Sequence, residues 1–113
     1  MPPEDPRWPS TSYHPDPVDL NALNVSLDRL KGAKYFCDSE LLQNPEDVIV
    51  DDDGNMYVGL ADGSIVQVSP EGKPNVIGKG KGLILGLTWS TNKEEFYFAD
   101  QSWGIGAFNI KTY

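Results

Sequence analysis

Asp47-Val48-Ile49-Val50-Asp51-Asp52-Asp53-Gly54-Asn55-Met56-Tyr57-Val58-Gly59-Leu60-Ala61-Asp62-Gly63 reads as a strand, an acidic turn, a second strand and an Asp-Gly turn. Leu85-Gly86-Leu87-Thr88-Trp89-Ser90-Thr91-Asn92-Lys93-Glu94-Glu95-Phe96-Tyr97-Phe98-Ala99-Asp100 repeats that order, with Tyr97 forty positions after Tyr57. A period of about 40 residues filled with short strands is the mark of propeller blades rather than of a sandwich. Each blade is a small sheet that must bury its faces against its neighbours. The expected fold is therefore all-β: an incomplete β-propeller of about one and a half blades.

Working outward from the repeat, strands are expected near Asp47–Val50, Met56–Leu60, Ser64–Val68 and Asn75–Ile77 in the first blade. The second blade should place them near Leu83–Trp89, Glu95–Ala99 and Ile105–Ile110. Asp53-Gly54 and Asp62-Gly63 supply the positive φ that tight hairpins want, and Pro70-Glu71-Gly72 makes a third turn. Upstream, Ala33-Lys34-Tyr35-Phe36-Cys37 reads as a further strand. Asp19 caps a short helical pattern with Leu20, Leu23, Leu27 and Leu30 on one stripe and Gly32 at its end. Six of the nine prolines fall in the first seventeen residues, so that stretch is expected to run as extended or polyproline-like chain outside any core. The organisation read from these signals is a Pro-rich tail at 1–18, a lead-in of helix, strand and loop at 19–44, the first blade at 45–79 and a partial second blade at 80–113.

The chain has 113 residues and a net charge of −8, with its carboxylates spread over turns. That balance argues against nucleic acid and anionic membrane surfaces as partners, since both require clustered Lys and Arg. No apolar run approaches the roughly 20 residues needed to span a bilayer, and the N-terminus lacks a charged-then-apolar leader pattern. Either the protein is intracellular or the start of its gene is missing, so the compartment stays open. The single cysteine, Cys37, excludes an internal disulfide and reads as a structural thiol. Asn24-Val25-Ser26 fits a glycosylation acceptor without a leader to support it.

Few residues offer chemistry. Asp51-Asp52-Asp53-Gly54-Asn55 fails as a calcium loop, because an EF-hand would set a ligand at Ile49 and its bidentate Glu at Leu60. Gly78-Lys79-Gly80-Lys81-Gly82 lacks the closing Gly-Lys-Ser/Thr of a phosphate loop and reads as a flexible connector between blades. The only histidine, His14, lies in the tail, so a nucleophile has no base to activate it. No catalytic residue and no Cys/His zinc cluster is identified. Glu46 and Asp47 are the exception. They open the first blade's inner strand, beside the axis where propellers keep a tunnel, and a hard carboxylate there can help hold a calcium ion. A solvated pair at a strand start is the alternative.

At these residues the chain resembles a known family. Asn44-Pro45-Glu46-Asp47-Val48-Ile49-Val50-Asp51, with Gly54 to Ile65, is similar to the opening block of strictosidine synthase-like propellers. That group includes the adipocyte plasma membrane-associated type and is related to gluconolactonases and paraoxonases. Leu85-Gly86-Leu87 with Tyr97-Phe98-Ala99-Asp100 and Gly104 resembles the next block. The resemblance implies a six-bladed propeller, of which this chain is an N-terminal fragment or a truncated product, inactive by itself. It implies a calcium-dependent hydrolase of a small-molecule lactone or ester as the parent, with Glu46 as a metal ligand and the ion polarising the carbonyl. The alternatives are a non-catalytic propeller used as an interaction scaffold, or an amine–aldehyde condensing enzyme of strictosidine synthase type. Gly82-Leu83-Ile84 and Gln101-Ser102-Trp103 depart from the family pattern near Asp100. Open blade edges are expected to favour self-association.

Overall fold

The computed structural model describes residues 14–17, 19, 31–37 and 39–113. The chain divides into two units, residues 1–34 and 35–113, and among the described residues every strand lies in the second. The expected helical stripe from Leu20 to Leu30, the Asn24-Val25-Ser26 triplet and most of the Pro-rich tail lie outside the described residues.

Seven strands follow in order: β1 (Pro45–Val50), β2 (Met56–Leu60), β3 (Ser64–Val68), β4 (Pro74–Lys79), β5 (Ile84–Trp89), β6 (Glu95–Asp100) and β7 (Gly104–Asn109). β1 to β4 form one antiparallel meander, and β5 to β7 form a second, three-stranded one. This is the expected all-β, incomplete propeller arrangement, open rather than closed. The turns follow the glycines: Gly54, Gly63 and Gly72 take φ of 86°, 87° and 82°, values only glycine adopts cheaply. In the second sheet Lys93, at φ 54°, occupies the place of Gly54, since both close an i to i+3 bond at the head of the hairpin.

The two sheets stack through their inner strands, with β1 and β2 packed on β5. Period-2 alternation turns Ile49, Tyr57, Ile65 and Ile77 of the first sheet onto Ile84, Leu87, Trp89, Phe96, Phe98 and Phe108 of the second. Tyr57, Trp89 and Phe96 meet edge-on or tilted at centroid distances of 5.4 to 5.8 Å, and Phe108 stacks on Phe96 at 5.3 Å. The opposite face of the first sheet carries Val58, Leu60, Val66 and Val68, covered by Cys37 and Leu42 of the lead-in.

Register makes the repeat exact at residue level. Ile49 opposes Tyr57 as Thr88 opposes Tyr97, and Gly59 opposes Ile65 as Ala99 opposes Ile105. Yet the mates live in opposite surroundings. Ile65 is 1% exposed and Ile105 79%; Tyr57 is 2% exposed and Tyr97 41%. The face of the first sheet that the second sheet covers has its counterpart in the second sheet's uncovered face.

Two expectations are corrected. Ala33 to Cys37 is not a strand. It pairs with none of the edge strands of the two sheets, and a strand with no ladder partner leaves its N–H and C=O groups unmatched. Instead Phe36 crosses the β3–β4 turn, where a Cβ on Gly72 would stand 2.8 Å from the Phe36 carbonyl oxygen. The Gly78–Gly82 connector is pinned rather than flexible. The Gly80 N–H donates to Gly63 O at 2.7 Å, the Lys81 N–H donates to Asp100 Oδ2 at 2.7 Å, and Gly80 and Gly82 pass so close to Asp100 and Ser102 that a Cβ would collide.

Candidate functional site

The candidate site forms where β1 begins. Pro45 opposes Leu60 and Asp47 opposes Gly59, so Glu46 is the extra residue of a β-bulge. Bulges interrupt the ladder and re-aim a side chain. Glu46 is exposed here, on the rim of a depression of about 270 Å3 lined by Pro45, Glu46, Asp47, Val48 and Val58. The second sheet carries the same device: Ile84 opposes Asp100 and Gly86 opposes Ala99, leaving Leu85 as the bulged residue. The repeat therefore presents one side chain per inner strand, Glu46 and then Leu85.

Asp47 is half-buried and turned the other way. Its Oδ1 accepts the Val48 N–H at 2.9 Å, and its Oδ2 accepts the Leu87 N–H of β5 at 2.7 Å. The pair read together in the sequence is thus split, one carboxylate outward and one inward. Nearby, the Trp89 indole N–H donates to Val50 O at 3.0 Å, a second polar link between the inner strands.

The acidic turn is consumed by its own architecture. The Asp51 carboxylate accepts the Asp53 and Asn55 N–H groups, the Asn55 side-chain amide and the Tyr57 hydroxyl at 2.8 to 3.0 Å. Burial opposes ionisation of Asp51, but these donors outweigh it and hold its pKa below the ordinary value. Tyr57 also accepts the Gln67 amide at 3.2 Å. Burial first, and then the Asp51 carboxylate beside it, push the Tyr57 pKa up to about 12.

Asp100 is the polar residue that sequence reading undervalued. It is buried at the end of β6, where its two oxygens accept the Lys81 N–H at 2.7 Å and the Ser102 N–H at 2.8 Å. Burial works against its charge, yet the backbone donors of Lys81, Ser102, Gly82 and Trp103 prevail and keep its pKa below the usual carboxylate value. The glycine-rich connector is a cradle for this internal carboxylate. Lys81 completes the corner with its ammonium 4.6 Å above the Trp103 ring.

Calcium asks for six to eight oxygen ligands. Among the described residues no three His, Cys, Asp or Glu side chains gather in one place. Asp47 is engaged by two N–H donors, which leaves Glu46 as one free carboxylate. Also among the described residues, no helix is long and apolar enough to cross a membrane.

Residues 28–68 match the family described as strictosidine synthase-like, N-terminal. The match runs from the lead-in through β1, β2 and β3 and includes the Glu46 bulge; β4 to β7 lie outside it. No curated protein matches the chain.

Proposed function

On the premise of that strictosidine synthase-like match, we propose that this chain supplies the opening blade and part of the second blade of a calcium-dependent propeller that hydrolyses a lactone or ester. The observation that carries the reading is Glu46. It is an exposed carboxylate set on an inner-strand bulge, inside the segment that matches the family. Its part is to lend one hard oxygen ligand to an ion whose other ligands come from further blades. The chain alone, with one such carboxylate and no nucleophile–base pair, is inactive on this reading.

The test uses a protein in which further blades complete this segment. Calcium at about a hundred times its Kd should stabilise that protein by roughly 2.7 kcal/mol, because the ion binds only the folded state. Glu46→Gln keeps the shape, removes the charge and should abolish both that gain and lactone or ester turnover. An undiminished calcium-induced rise in Tm in the variant would leave the hydrolase reading without its residue.

An interaction scaffold is the second reading. The uncovered face of the second sheet favours it, where Tyr97 and Ile105 border a depression of about 460 Å3 also lined by Gly86, Leu87, Thr88 and Ala99. Calcium-independent stability, together with no turnover across a lactone and ester panel, would select it.

A further inference from the structure

We infer that Asp47 is the fastener between the first two blades and not a metal ligand, so that the Glu46–Asp47 pair offers one coordinating carboxylate rather than two. This holds whether or not the hydrolase reading does. β5 is the first strand of its sheet, and its free edge leaves main-chain donors unpaired by β6. Asp47 Oδ2 takes one of them, the Leu87 N–H, at 2.7 Å, and Oδ1 takes the Val48 N–H at 2.9 Å. A carboxylate accepting N–H donors is about twice as strong an acceptor as a neutral one. Those hydrogens compete with any cation for the same oxygens.

The repeat sharpens the point. The register mate of Asp47 is Gly86, opposite Ala99 as Asp47 is opposite Gly59. The β5 bulge forms with no side chain at that position, so the carboxylate is not required for the bulge. Asp47 therefore acts at the interface between the first two sheets and not in shaping its own strand. Its reach across to β5 holds the start of β1, and with it Glu46, at a set place beside the second inner strand.

The experiment is amide hydrogen exchange and urea unfolding on the 113-residue chain, with and without calcium. Leu87 should exchange slowly in the unmodified chain. Asp47→Ala should speed that amide about tenfold or more, as expected for loss of a hydrogen bond to a charged acceptor, while the β2–β3 amides keep their protection. Asp47→Asn retains a carbonyl acceptor, so it should fall between the two, and Glu46→Gln should leave Leu87 unchanged. Calcium should alter none of these rates. The inference is overturned if the Leu87 amide exchanges at the unfolded rate in the unmodified chain, if neither Asp47 variant speeds it, or if calcium raises the unfolding midpoint in a way that Asp47→Asn removes.

Discussion

Ile65 and Ile105 are the same residue type at the same place in the repeat, so truncating each to Ala tests how the sheets stack. Ile65 is 1% exposed and belongs to the cluster with Tyr57, Ile84, Phe96 and Phe98. Removing its branched side chain deletes buried apolar groups and opens a cavity between two sheets, a loss of about 2–5 kcal/mol for Ile→Ala in a core. Ile105 is 79% exposed on the uncovered face, and its truncation should stay within about 0.5 kcal/mol. A folded domain has only about 5–15 kcal/mol in reserve, so Ile65→Ala should remove a large part of it. Urea titration followed by far-UV circular dichroism reads both midpoints, and repeating it over a range of protein concentrations adds a control. If the face at Ile105 were covered by a second copy, Ile105→Ala would become costly, and its cost would grow with concentration. Equal, concentration-independent losses for the two variants would refute the stacking described here.

Gly80→Ala places a Cβ on the Asp100 carboxylate, so it should destabilise by about 1–3 kcal/mol, as overpacking does; an unchanged urea midpoint would contradict the pinned connector. Asp51, Asp62 and Asp100 all have pKa values below the ordinary 3.8, so their contribution is complete above that value and is lost as pH falls through the folded pKa values; thermal melts between pH 5 and about 2 should show the decline. Tyr57 acts at the other end: its folded pKa of about 12 lies above the ordinary 10.0, so its contribution is whole below pH 10 and should drain away as pH rises towards 12, a loss that Tyr57→Phe should not show. Lys93→Gly relieves a left-handed residue but breaks the exposed Lys93–Asp52 ion pair at 2.6 Å, so in high salt, where that pair is screened, the variant should be more stable by about 1 kcal/mol. Calorimetric titration of the 113-residue chain should find no calcium binding tighter than roughly millimolar, the range of the weakest protein sites.

Local chemistry made much of this chain legible in one dimension. The turn residues that bracket them mark β2 and β3 to the residue, and the Asp-Gly and Pro-Glu-Gly turns take the positive φ that their glycines permit. The forty-residue echo of Tyr57 in Tyr97 survives as true register, and Glu46 stands at the opening of β1 as expected. These signals are readable because each depends on neighbours a few residues apart. What depends on a distant partner was not readable. Nothing local tells Ile65 from Ile105, or Tyr57 from Tyr97, because burial is decided by whether another sheet lies on that face. Ala33 to Cys37 has strand-like composition, but a strand needs an edge to pair with, and that segment crosses a turn instead. Asp47 looked like half of a carboxylate pair until its acceptor role on Leu87, forty residues away, divided it from Glu46. The glycine-rich connector looked loose because its anchor, Asp100, lies 19 residues beyond Lys81 in the chain. Sequence determined the strands, the turns and the repeat, since backbone conformation and side-chain alternation are local. Only the stacking of two sheets decided which face is core, which carboxylate is free and which is spent on holding the blades together.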